Sequence, residues 1–128
     1  MTDFSSALSI AASGMRSQTT RLTHVSENIA NADTPGYRRK LTSFQPDRDA
    51  VPGAVTTGPV RLDRTELPQI FDPSHPLADA SGYYSGSNVD LIVEIADARQ
   101  AQRSYEANLR VFDQVRQMSS ELNDLLRR

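Results

Sequence analysis

The placement of proline and glycine constrains this chain more than any other property. Six of the seven prolines and four of the six glycines fall between Pro46 and Ser87. Proline lacks the N–H a helix needs and clashes with the preceding turn, so a long helix is excluded there. From Ser87 to Arg128 neither residue occurs, and before Pro35 only Gly14 does. The chain therefore divides into an N-terminal helical segment (1–34), a connector (35–87) and a C-terminal helical segment (88–128). The expected class is mainly α. Two long helices pack as an antiparallel, coiled-coil-like pair, and the Pro/Gly-rich connector has room for a small β-hairpin.

In the first segment apolar residues fall at Phe4, Leu8, Ala11, Met15, Leu22, Val25, Ile29 and Ala32, with Gln18 the polar interruption. Steps of four and three give a 3.5-residue period, a narrower seam than a helix on a globular core usually shows. As a helix the run is roughly 40 Å long. The seam fits either the buried face of a two-helix hairpin or a packing face for other chains. Off the seam the residues are mostly Ser, Thr, Ala, Gln and Asn, which neighbours can cover without burying ions. Gly14 costs about 1 kcal/mol against Ala in a helix, marking a close backbone approach or a weak point.

Asp33-Thr34-Pro35-Gly36-Tyr37 ends that helix. Pro35 forces Thr34 to be extended, and Pro-Gly is a type II turn signal because Gly36 tolerates positive φ. Asn28 and Asn31 lie three apart on the last helical turn. There their amides can sit in solvent, satisfy orphan carbonyls or bond a neighbouring chain.

In the connector Val51, Val55, Val60 and Leu62 lie near Gly53 and Gly58-Pro59, and Val60 to Asp63 alternates as a short strand would. Phe71-Asp72-Pro73-Ser74-His75-Pro76 and Gly82 to Gly86 read as ordered loops with aromatic anchors. The second helix opens at Ser87-Asn88-Val89-Asp90, where Ser87 or Asn88 can cap and Asp90 suits the first turn. Its apolar positions are Leu91, Ile95, Ala98, Tyr105, Leu109 and Phe112, then Val115, Met118, Leu122 and Leu125, with a phase slip after Phe112. Glu106 with Arg110 and Asp124 with Arg128 are acid-before-base pairs at i,i+4, worth a few tenths of a kcal/mol each.

The chain carries no signal for chemistry. It has no cysteine, and His24 and His75 stand apart without metal-ligand spacing. Asp72, Ser74 and His75 hold the letters of a hydrolase triad, but crowded between Pro73 and Pro76 they read as loop residues. The glycines form neither a phosphate loop nor a dinucleotide fingerprint, and no cofactor, metal or small-molecule substrate is expected. A net charge of −2 offers nothing to nucleic acid. Arg38-Arg39-Lys40 is too short a basic cluster to change that, and it reads as a solvated turn. Asp3 stands where a cleaved signal peptide needs a base, so no Sec signal is expected, and no apolar run approaches the ~20 residues of a membrane span.

Ser26 to Tyr37, above all Asn28-Ile29-Ala30-Asn31 with Thr34-Pro35-Gly36-Tyr37, resembles the N-terminal signature of the bacterial flagellar axial proteins. Asn88-Val89-Asp90-Leu91 and Arg103-Ser104-Tyr105-Glu106-Ala107-Asn108 are similar to the matching C-terminal signature. The connector is too short for the middle domains of distal-rod and hook proteins. Phe71-Asp72-Pro73-Ser74-His75-Pro76, with Ala78, Ala80 and Gly82-Tyr83, is similar to a segment of one small proximal-rod member that the other proximal-rod proteins do not usually carry. The likeness spans about residues 4–44 and 69–118, with Ala50 to Arg64 only loosely similar.

The resemblance implies a structural subunit of the periplasmic rod, carrying torque and surrounding the export channel, and exported by the flagellar type III apparatus without a cleaved signal. Implied partners are copies of itself, other proximal and distal rod proteins, and the rod-to-ring adaptor. The implied assembly contacts are Phe4, Leu8, Met15, Leu22, Val25, Asn28, Ile29 and Asn31 on the first helix. On the second they are Leu91, Ile95, Tyr105, Asn108, Leu109, Phe112, Val115 and Leu122. Two helices sharing a narrow seam bury too little to offset an ordering entropy of ~1–2 kcal/mol per residue, so the ends are expected to order on neighbouring subunits. A soluble adaptor or secretion substrate that binds partner helices transiently is the alternative from another class. A cell-wall-cutting enzyme lacks a catalytic constellation.

Overall fold

The structure is a computed structural model that describes residues 2–128, apart from the Thr2 side chain. Met1, with which the expected N-terminal segment begins, lies outside the described residues. Helix α1 (Thr2–Ala30) and helix α2 (Leu91–Leu126) flank six short strands: β1 (Lys40–Leu41), β2 (Phe44–Pro46), β3 (Val55–Thr57), β4 (Arg61–Leu62), β5 (Gln69–Phe71) and β6 (Tyr83–Ser85). The chain is thus mainly helical, with three small antiparallel strand pairs between the helices.

The helices run in opposite directions along one another. Gly14 meets Asn108, Arg21 pairs with Asp97, and Asn28 bonds Glu94. An alanine Cβ at Gly14 would stand 2.7 Å from Asn108 Nδ2, so this glycine marks a close approach. The core is thin: the fully buried apolar residues among those described are Ala11, Val25, Ala54 and Ala101. On α1, Ala11 and Val25 keep the expected seam, but Ile29 is exposed and Asn28 takes the buried position after Val25. Gln18 leaves its Oε1 buried without a hydrogen-bond partner, a local cost of about 1–3 kcal/mol.

On α2 the expected face is kept at Ala98, Tyr105, Phe112 and Val115 and lost at its leucines and isoleucines. Glu94 and Ala101 are wholly buried, while Leu91, Ile95 and Leu109 are exposed. Tyr105, Phe112 and Val115 are half-buried, as are Phe4, Leu8, Met15 and Leu22 on α1. The expected Glu106–Arg110 and Asp124–Arg128 pairs do not close, and the intrahelical ion pair of α2 joins Arg116 to Asp113 at 4.0 Å.

The connector forms two hairpins. Strands β1 to β4 make one arm, pairing Lys40 with Leu62 and Leu41 with Arg61, then Phe44 with Thr57 and Pro46 with Val55. The register moves by one residue between the two ladders, which is the offset a bulge introduces. This arm covers the small-residue flank of α1. Ser13, nearly fully buried, donates to Ile10 O at 2.7 Å and accepts from Val55 N at 3.1 Å. The chain's own connector thus occupies the weakly charged face that neighbours could have covered.

In the second hairpin Gln69 pairs with Ser85 and Phe71 with Tyr83. Both segments read as loops in the sequence, but Phe71 closes β5 and Tyr83–Ser85 form β6, strands too short to announce themselves by alternation. The expected aromatic anchors are present: Phe71 packs on Tyr83 with centroids 5.1 Å apart, and His75 stacks on Tyr84 at 3.9 Å.

Candidate assembly interface and its polar anchor

The turn after α1 sets up the anchor. Thr34 O accepts from Tyr37 N at 3.1 Å and Gly36 has φ +75°, which are the marks of a type II turn. Gly36 N donates to Ser85 O at 3.1 Å, tying the turn to the chain entering α2. The turn sends Tyr37, Arg39 and Lys40 back across the helix ends, where they converge on Asn28 and Glu94.

Asn28 is fully buried and uses its whole amide. Its Oδ1 accepts from Tyr37 Oη at 2.8 Å and from Lys40 N at 2.7 Å. Its Nδ2 donates to Lys40 O at 3.1 Å and Glu94 Oε2 at 3.2 Å. Within the chain every donor and acceptor of this amide is thus engaged, and no solvated role is left for it. Asn31 satisfies an orphan carbonyl instead, donating to Glu27 O at 2.8 Å and accepting from Thr34 Oγ1 at 3.0 Å.

Glu94 is the other centre. Its second oxygen, Oε1, accepts from Arg39 Nε at 2.6 Å, so both carboxylate oxygens face donors. Arg39 also reaches Asp63 at 3.4 Å. Around them Asn88 Oδ1 accepts from Arg39 N at 2.7 Å, and Asn88 Nδ2 donates to Asp63 O at 2.9 Å. Ser87 Oγ donates to Ala32 O. Ser87 and Asn88 are therefore bridges to the turn and to the β-arm, and the cap of α2 is Asp90, which accepts from Ile92 N at 3.0 Å. Because the helix begins at Leu91, Asp90 is the residue whose carboxylate reaches the N–H of its second position.

The basic cluster likewise departs from a solvated turn. Arg38 donates to Asp63 O and Thr65 O, Arg39 enters the anchor, and Lys40 pairs with Glu27 at 2.6 Å. That last bond holds the Glu27 carboxyl below its ordinary value and raises the Lys40 ammonium. Burial raises the Tyr37 phenol, with Glu27 and Glu94 adding to it against Lys40. Arg39 loses charge stability to burial but gains more from Glu94 and Asp63, so its guanidinium is raised overall. Thr65's hydroxyl and N–H, then Arg39, hold Asp63 low.

The loop letters Asp72, Ser74 and His75 behave as loop residues. Asp72 Oδ1 accepts from Ser74 Oγ at 2.7 Å and from Ser74 N, and His75 Nδ1 accepts from Leu77 N at 3.1 Å. Pro73 and Pro76 frame that turn, and Ser74 donates to the aspartate, away from the imidazole. His24 meets Thr42 Oγ1 at 2.6 Å, linking α1 to the arm. Among the described residues no cluster of His, Asp and Glu is placed to hold a metal ion.

Reading the sequence missed Glu94, Asp63 and the Arg21–Asp97 pair. A signal for Glu94 was present: it is the one charge in Leu91-Ile92-Val93-Glu94-Ile95-Ala96, seven residues before Ala101 and therefore on its face.

Around this anchor lies uncovered apolar surface: Ile92 is 80% exposed, and Leu91, Val93 and Ile95 are open, as are Val111 and Met118 further along α2. At the end of α2, beyond the stretch alongside α1, Leu125 and Leu126 are 63% and 72% exposed. Such a density of exposed large apolar residues on a small chain is what an interaction face looks like.

Comparison with known proteins follows the same division of the chain. Residues 8–38 match the family described as flagella basal body rod protein, and residues 80–125 match the C-terminal family of flagellar basal body rod FlgEFG proteins. The chain is 43% identical to the flagellar basal-body rod protein FlgC of Agrobacterium fabrum, over 99% of this chain and 98% of that protein. It is 37% identical to the FlgC of Salmonella typhimurium, over 85% and 87%. To that of Bacillus subtilis it is 30% identical, over 92% and 94%.

Proposed function

The chain belongs to the flagellar basal-body rod protein family and is a structural subunit of the rod, and from that premise we propose that it builds the proximal rod by helix packing between copies. The observation carrying this is the mismatch between a core of three alanines and one valine and the open leucines and isoleucines of α2. Burial of apolar surface contributes about 25 cal/mol per Å², and here that contribution is left for neighbours.

Residues 1–34 and 88–128 then form the tube, with the helices paired in coiled-coil fashion and the connector, 35–87, acting as a contact arm. Phe4, Leu8, Met15 and Leu22 on α1, and Leu91, Ile95, Leu109, Tyr105, Asn108, Phe112, Val115 and Leu122 on α2, are divided between the helix pair and contacts to other subunits. Unlike faces meet head to tail, so the array stays open and grows as a helix around the export channel. Partners are copies of itself, the other proximal and distal rod proteins and the rod-to-ring adaptor. The site of action is periplasmic, reached through the flagellar type III route without a cleaved signal. Torque passes through many interlocked helices.

Deletion of the gene is expected to abolish motility, and the protein to co-purify with basal bodies. Motility without the protein, or its absence from purified basal bodies, would instead indicate a transient adaptor.

A further inference from the structure

Beyond the helices, the connector carries two surfaces of opposite charge, each floored with exposed apolar side chains. The first is an open groove of about 820 Å³ on the β1–β4 pair, lined by Arg38, Leu41, Val60, Arg61, Leu62 and Arg64. Val60 and Leu62 are each 52% exposed. Arg38 is held by carbonyl oxygens. Among the described residues no carboxylate lies within 4.0 Å of the guanidinium of Arg38, Arg61 or Arg64. In a chain of net charge −2 this is a concentrated, unneutralised positive patch.

The second surface is the β5–β6 hairpin. From Thr65 to Ala98 the sequence holds six carboxylates and no Lys or Arg. Glu94 and Asp97 are spent on Arg39 and Arg21, and Asp90 caps α2. Glu66 precedes the hairpin, and Asp72 and Asp79 remain on its loop, all three without a cation partner among the described residues; the two aspartates lie beside exposed Phe71, Leu77 and Tyr83. Phe71 and Tyr83 are fixed by pairing and by ring contact. No residue of this hairpin lines the groove, so the chain does not close the contact on itself.

We infer that the acidic β5–β6 hairpin of one copy seats in the basic β1–β4 groove of the next, a head-to-tail contact distinct from the helix faces. Both halves are carried by every copy, their charges are complementary, and each offers apolar area for the other to cover. Contact between two unlike patches does not close on itself and so repeats along an open array. This inference rests on the rod-subunit reading and adds a second, connector-borne interface to it.

The test reverses the groove and then compensates. Arg61→Glu with Arg64→Glu is expected to abolish spreading in soft agar while leaving the melting temperature of the purified chain unchanged. Adding Asp72→Asn, Asp79→Asn and Ala80→Arg to the same chain restores spreading, because the asparagine oxygens keep the loop's hydrogen bonds while the charge inverts. Wild-type spreading by the groove variant, or failure of the compensated chain to restore it, would overturn the contact without touching the deletion result. A second measurement guards against a folding defect in the combined variant. By light scattering of full chains, the groove variant and the hairpin variant each associate less than the unaltered chain, and an equimolar mixture regains the unaltered level. A mixture that associates no better than either variant alone overturns the contact.

Discussion

Arg39 Nε donates to Glu94 Oε1 at 2.6 Å, and the carboxylate it meets is wholly buried, shared with the Asn28 amide on its other oxygen. This joins the turn after α1, the β-arm and the first turn of α2 at one point. A buried ion pair adds little net stability over apolar packing, but removing one member leaves a charge without a partner. Its value here is positional: the arm leaves the helix pair in one direction only.

Glu94→Gln tests that role with almost no change of shape. Asn28 Nδ2 cannot be flipped away, because its Oδ1 is held by Lys40 N. A glutamine must therefore present its own N–H₂ to Arg39 or to Asn28, donor against donor. The expected loss is about 3 kcal/mol, or roughly 10 °C in Tm, measured by thermal unfolding of the monomer. A loss confined to a few tenths would mean that the anchor relaxes and does not fix the arm.

The division into two terminal helices and a strand-bearing connector was legible because Pro and Gly act locally, and so was the Pro35-Gly36 turn. The seam of α1 was legible where Ala11 and Val25 are buried, and that of α2 at Ala98, Tyr105, Phe112 and Val115, but not at its leucines and isoleucines, which face outward. Periodicity reports which residues share a face and is silent on what covers that face. The anchor was illegible for a related reason: Asn28, Arg39, Asp63 and Glu94 lie far apart in sequence, and polar residues read one at a time default to solvent. Only Glu94, alone among apolar neighbours, carried a hint.

Stability should fall at both ends of the pH scale, for different residues. The Tyr37 phenol is raised, chiefly by burial, so the folded state holds its proton more tightly than the unfolded chain. That contribution is fully present below the ordinary tyrosine range near pH 10 and is lost as pH rises through the folded value. Lys40, raised by its bond to Glu27, follows the same sign. Glu27 and Asp63 are depressed, so their contributions are present above the ordinary carboxylate range and disappear as pH falls through the folded values. In urea midpoints taken against pH, Tyr37→Phe is expected to flatten the alkaline limb and leave the acid limb in place. An unaltered alkaline limb would assign that loss to Lys40 alone.

Gly14 and Asn108 give the clearest sign test of the helix pair. Replacing a mid-helix glycine by alanine normally gains up to ~1 kcal/mol. Here the new Cβ would lie 2.7 Å from Asn108 Nδ2 and 3.0 Å from its Cγ, so either the amide moves or the helices part, and overpacking of this kind costs about 1–3 kcal/mol. Gly14→Ala alone is therefore expected to destabilise the chain by about 1 kcal/mol, the difference between those two terms. In an Asn108→Ala background the obstruction is gone, and the same substitution should stabilise by up to ~1 kcal/mol. A double-mutant cycle by urea unfolding reads the reversal as coupling between the two positions. Simple additivity would show that α1 and α2 do not approach each other at this point in solution.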